Sequence, residues 1–149
     1  MKRFLLFLCI SLACCGKKSP GQTAYGPNCG ICHHGGKGMP GEIPPLVGRL
    51  DIIAQSPEGR RYLADVLLNG LHGPFTTQGY TYNYSMPSFR DRLNDQEISE
   101  ILNWLISRGE TKPSPIITPQ DIAHARLLSG DPALTYKERQ NLNLKHPLP

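Results

Sequence analysis

Two stretches of the chain repeat apolar residues at helical intervals, and both carry their own start and stop signals. In the first, Tyr62, Leu63, Val66 and Leu67 form one face. Ser56-Pro57-Glu58 opens it with a capping serine, a proline at the first helical position and an acid in the first turn, and Gly70 is placed to end it. In the second, Ile98, Ile101, Leu102 and Leu105 follow Asn94-Asp95-Gln96-Glu97, which has capping-box spacing, and run to Gly109. Trp104 flanks this face and reads as a core or boundary aromatic. Beyond the linker at residues 111 to 115, Thr118-Pro119-Gln120-Asp121 caps a short helix with Ile122, Ala125 and Leu128 on one side, and Thr135-x-x-Glu138 reads as a second capping box. The tail of residues 110–149, two short helices, is expected to pack on the main domain or on a partner.

Between these elements the periodicity lapses. Residues 16–23 read as a Gly/Ser/Pro/Lys tether, followed by a short helix carrying Tyr25 that is secure only beyond Pro27. Residues 35 to 50 and 71 to 88 are rich in Gly and Pro and read as loops, the second with a small β-turn. No internal repeat is evident.

At the start, Lys2 and Arg3 precede an apolar run over residues 4 to 13, too short to span a bilayer, so residues 1–15 read as an export signal. Ser11-Leu12-Ala13 suits ordinary signal-peptidase cleavage. Ile10-Ser11-Leu12-Ala13-Cys14 also resembles a relaxed lipoprotein box, with Cys14 as the lipidated residue, and this is the favoured reading. The expected product is exported, periplasmic and held at the membrane by a lipid.

Composition narrows the class. With 39% hydrophobic residues, 15 Gly and 14 Pro in 149 positions, the chain predicts a loop-rich fold with a modest core. An enclosed prosthetic group would supply what such a core lacks. The formal charge of +4 falls once Lys2 and Arg3 are removed, and no cluster of Lys or Arg exceeds a pair. Nucleic acid is therefore not an expected partner.

Of five cysteines, Cys9, Cys14 and Cys15 lie in the export region, leaving Cys29 and Cys32 in the folded part. No disulfide framework remains, no second C-x-x-C completes a zinc site, and no βαβ pattern supports a thioredoxin-like motif. Cys29-Gly30-Ile31-Cys32-His33 is instead the attachment sequence of a c-type haem. Two thiols three positions apart reach the vinyl groups along one edge, and His33 follows as the proximal iron ligand. The sixth position has two contenders by spacing: Met86, in Ser85-Met86-Pro87, and His72, in the flexible Gly70-Leu71-His72-Gly73. Met39 is too near His33 to cross the macrocycle, His34 points elsewhere, and His124 and His146 lie in the tail.

These residues together resemble the class I cytochromes c, in particular the single-haem bacterial domains found as free carriers or as cytochrome subunits. The resemblance covers about residues 20 to 109. It rests on Tyr25 with Cys29-x-x-Cys32-His33, Gly36-Lys37-Gly38 with Pro44-Pro45-Leu46-x-Gly48, Leu67-Leu68-Asn69-Gly70-Leu71-His72-Gly73, Tyr82-Asn83-Tyr84-Ser85-Met86-Pro87-Ser88-Phe89, and the last helix with Trp104. It implies a mostly α fold wrapping one covalent haem, residues 24–109 as the cytochrome c domain, and first and last helices crossing through glycine and aromatic contacts. It also implies Met86 as distal ligand, and Pro44 and Pro45 beside His33, one proline carbonyl orienting the imidazole. The tail has no counterpart in the minimal fold.

Three functions follow as expectations. The first is a non-enzymatic electron carrier working with a dehydrogenase, oxidase or other respiratory complex. The second is a dedicated subunit of such a complex, docked through the tail. The third is a haem peroxidase or ligand sensor, which would need an open sixth site and an acid/base set that the sequence does not supply.

Overall fold

The computed structural model describes residues 16–149; the export signal over residues 1–15 and Cys14 lie outside the described residues. The fold is mostly helical. Helix α1 (Pro20–Tyr25) runs into a π-helical turn (Gly26–Gly30) and then α2 (Ile31–His33). A single turn α3 (Leu50–Ile53) precedes α4 (Pro57–Asn69), a hairpin of β1 (Phe75–Thr77) and β2 (Tyr80–Tyr82), α5 (Asp95–Ser107), α6 (Pro119–Arg126) and α7 (Pro132–Lys145). No helix among the described residues is long and apolar enough to cross a membrane.

The cap signals act as the sequence predicts at three places. Ser56 accepts from the Gly59 amide at 2.9 Å, while Asn94 with Glu97 and Thr118 with Asp121 form reciprocal capping boxes. Three expectations change. The tether gives way to helix at Pro20, because Ser19 accepts from Gln22 N at 3.2 Å and Pro20 takes the first helical position. Pro27 does not delay the helix: the backbone widens into the π turn around it, and Asn28 Nδ2 of the side chain donates to the Ala24 carbonyl at 2.9 Å. Thr135 is interior to α7, whose true cap is Asp131, accepting from the amides of Ala133 and Leu134.

The core sits where α1 crosses α5 and where α4 packs beside them, with Leu68, Ile98, Leu102 and Ile106 fully enclosed. Gly21 allows the crossing, since an added Cβ would meet the backbone of Glu100 and stand 2.8 Å from Trp104 Cβ. One helical turn on, Tyr25 packs on Trp104 with ring centroids 4.7 Å apart.

The tail folds back onto this core. Ile117 is buried; its carbonyl accepts from Ser99 Oγ and Asn103 Nδ2, both at 2.8 Å, and its amide donates to Asn103 Oδ1. Helix α6 packs on α4 and α5, and α7 on α4. Arg90 and Arg126 each donate to the other's backbone carbonyl, and Arg126 pairs with Asp95 at 2.6 Å.

Candidate functional site

The widened helix and the segment from residue 71 to 89 enclose one cavity, of about 710 Å³ including its open mouth. Cys29, Cys32, His33 and Pro44 line it from the N-terminal stretch; Leu71, Phe75, Tyr82, Met86 and Phe89 line it from the later segment. His72, Pro45, Met39, His124 and His146 are not among its lining residues.

Cys29 is buried and Cys32 exposed, one helical turn apart. Burial, reinforced by Cys32, pushes the Cys29 thiol up to about 11, so it stays protonated at neutral pH. His33 is buried, and burial holds its imidazole below the usual histidine range, against the opposing effect of its hydrogen bond to the Pro44 carbonyl. The ring is thus neutral at pH 7. Its Nδ1 lies 3.2 Å from the Pro44 carbonyl, which can only accept, so the proton is assigned to Nδ1 and Nε2 keeps its lone pair. Between the two prolines the task is therefore divided: Pro44 orients His33, whereas the Pro45 carbonyl accepts from Arg49 Nη1 at 2.7 Å.

The left-handed turn after His33 makes this possible. His34 has φ 47° and exposes its ring, and Gly38 at φ 66° comes so close to Pro44 that an added Cβ would stand 2.6 Å from the Pro44 carbonyl carbon. Gly38 N donates to the His33 carbonyl at 3.0 Å and Leu46 N to that of Gly36 at 2.9 Å, closing the loop on the helix end.

Met86 is fixed through its backbone. Leu71 N donates to Met86 O at 3.1 Å and Met86 N to Leu71 O at 2.9 Å, while Ser88 Oγ donates to the Leu68 carbonyl at 2.6 Å. The thioether is half-buried at the cavity wall. His72, the rival by spacing, is exposed and its Nδ1 lies 2.6 Å from Ser85 Oγ.

Phe75 and Arg139 were not singled out from the sequence. Phe75 and Tyr82 stack across the hairpin at 5.7 Å, a cross-strand pair that strand alternation in Phe75-Thr76-Thr77 and Tyr80-Thr81-Tyr82 encodes. Arg139, from α7, places its guanidinium 4.1 Å from the Phe75 ring centroid. Arg139 and Arg49 are both buried, and Arg49 donates from Nε and Nη2 to the Pro149 backbone oxygen at 2.8 and 2.7 Å. Burial and the charge of Arg139 bring Arg49 down to about 10. In the same hairpin the Thr77 hydroxyl is buried with no hydrogen-bond partner.

This donor set fits a haem: two thiols one turn apart, a neutral imidazole with a free lone pair, a thioether and a largely apolar wall.

Comparison with known proteins points the same way. The family model described as cytochrome C oxidase, cbb3-type, subunit III, matches residues 16–105. A cytochrome c-552 of Thermus thermophilus is 33% identical over 150 residues, spanning 97% of this chain and all of that protein. A second Thermus thermophilus cytochrome c-552 is 36% identical over 78% of this chain and 92% of its own length. The cytochrome c subunit of the quinone alcohol dehydrogenase of Gluconobacter oxydans is 30% identical over 80% of this chain and 24% of that subunit. The first alignment extends past residue 105 into the tail, so the tail has a counterpart in that relative.

Proposed function

From the premise that the chain belongs to the cytochrome c family of the cbb3-type oxidase subunit III model, we propose that it carries single electrons through one covalent haem c gripped by His33 and Met86. It acts as a carrier and not as an enzyme. Bound haem supplies an iron that exchanges one electron between its ferric and ferrous states.

The chain's own residues do the rest. Cys29 and Cys32 each add S–H across one vinyl group, giving two thioethers without net oxidation. His33 offers Nε2 while Pro44 holds Nδ1–H, which fixes the ring and strengthens its donation. Met86 offers a neutral sulfur from a backbone pinned to Leu71. Two rigid, uncharged ligands leave no coordination change and no ligand proton to move when the charge state changes, and a Met/His pair favours a high potential. Leu71, Phe75, Tyr82 and Phe89 exclude water. Electrons pass to redox proteins through small, transient contacts near the cavity mouth, where Cys32 and Ile31 are exposed.

The apolar leader supports export to the periplasm with a lipid on Cys14. A second reading makes the chain a subunit of a larger dehydrogenase or oxidase, favoured by the likeness to a dehydrogenase cytochrome subunit and by the family's own description.

One observation carries the proposal: Cys29, Cys32, His33 and Met86 line a single cavity. The test is expression with a haem-attachment system. The expected product retains one haem through acid-acetone extraction and shows the sulfur-to-iron absorption band when oxidised, and Met86→Ala loses that band. Complete release of colour into acid acetone refutes covalent attachment.

A further inference from the structure

Three residues at helical spacing on α7 meet three consecutive parts of the Met86 segment. The Pro132 carbonyl accepts from His72 N at 3.4 Å, the Tyr136 hydroxyl donates to the Pro74 carbonyl at 2.7 Å, and the Arg139 guanidinium covers Phe75 at 4.1 Å. Positions 132, 136 and 139 share one helix face. The fit is close: Gly73 sits against the Tyr136 ring, and an added Cβ would stand 2.8 Å from it. From there the contacts pass inward. Phe75 stacks on Tyr82, both line the cavity, and Leu71, next to His72, exchanges two backbone hydrogen bonds with Met86.

The segment needs this support on one side only. Downstream of Met86, Ser88 and Phe89 are tied to the end of α4 through the carbonyls of Leu68 and Leu67. Upstream, residues 72 to 75 leave α4 at Gly70 and find their partners on α7.

We infer that α7 buttresses the distal side of the site, so that Tyr136 and Arg139 are positioning residues that set how firmly the Met86 sulfur is held. The inference rests on Met86 being a ligand. A sulfur-to-iron bond is in competition with outside ligands, and the competition is decided by how readily residues 71 to 86 swing away. Loss of a buttressing contact raises the population of the open arrangement without touching the ligand itself.

The test uses the full-length holoprotein in its oxidised form, titrated with imidazole while the sulfur-to-iron band is followed. Tyr136→Phe removes one hydrogen bond, and the apparent affinity for imidazole is expected to rise about fivefold. The double variant with Arg139→Gln is expected to reach about tenfold or more. Ile106→Val, a loss in the buried α5 core remote from this face, controls for general destabilisation and should leave the affinity at the wild-type value. Wild-type affinity in Tyr136→Phe and in the double variant overturns the inference while leaving Met86 as ligand. A rise of equal size in Ile106→Val also overturns it, because general loosening then explains the effect. A wild-type protein without the band overturns both readings.

Discussion

Replacing Gly21 by alanine is expected to force α1 and α5 apart. The new Cβ would fall on the Glu100 backbone and stand 2.8 Å from Trp104 Cβ, whereas ordinary carbon contacts begin near 3.4 Å. The Glu100 carbonyl belongs to α5 and cannot rotate away, so the helices must separate by an ångström or more. Overpacking of this kind costs ~1–3 kcal/mol. The same displacement loosens the Tyr25–Trp104 pair at 4.7 Å, a contact of ~0.5–1.5 kcal/mol. A combined loss of ~2–4 kcal/mol lowers the melting temperature by roughly 4–16 °C in a chain of this size. Gly26 supplies the opposite case. It is right-handed, with φ −48° and ψ −65°, and an added Cβ meets nothing within 4 Å. Gly26→Ala should therefore be neutral or gain ~0.4–1 kcal/mol by restricting the unfolded chain. Thermal unfolding of the holoprotein, followed by far-ultraviolet circular dichroism and by haem absorbance, measures both. Equal melting temperatures for the two variants would refute the argument from the helix crossing.

Gly38→Ala should displace the Pro44 carbonyl from His33 Nδ1 and add ~1–2 kcal/mol of left-handed strain. Its reduction potential, read by voltammetry, should move positive as the imidazole becomes a weaker donor, and an unchanged potential would count against the role given to Pro44. Glu138 offers a pH test, because burial and then the nearby Asp65 raise its carboxyl from 4.5 to about 7. Folding then favours the protonated form, so the contribution is present below about pH 4.5 and is lost as pH rises through about 7. After discounting for a half-exposed group, the loss is ~1 kcal/mol. Urea midpoints at pH 5 and pH 8 should diverge less in Glu138→Gln than in the wild type; identical pH dependence would exclude Glu138 as the source.

Much of the fold was legible where the determining chemistry is local. Ser56, Asn94 and Thr118 announce their helices because the capping oxygen and the amide it receives are only three residues apart. The same Ser-Pro signature at Ser19-Pro20 was hidden by surrounding glycine and lysine, and the π turn depends on an Asn28 side chain bond that composition does not reveal. At Thr135 the spacing misled, because Asp131 one turn earlier captures the free amides and leaves Thr135 bonded back to the Asp131 carbonyl. Helix α3 is four residues long, too short to show a period. For the site, Cys29, Cys32 and His33 are contiguous and could be read together. By spacing Met86 and His72 are rivals; only the fold puts Met86 at the cavity wall and His72 on the surface, through the Leu71–Met86 bridge and the His72–Ser85 contact. Arg139 and Tyr136 were illegible for a plainer reason: their roles exist only once α7 docks.

The seating of Ile117 has a practical side. Ser99 and Asn103, on α5, satisfy their polar groups with the backbone of that one residue, beyond the point where the family match stops. A protein trimmed at that point would keep every atom of the attachment motif yet strand an amide and a hydroxyl on a surface meant to be covered. Its colour and potential would then describe a wounded molecule, and should not be taken as those of the domain stripped to essentials.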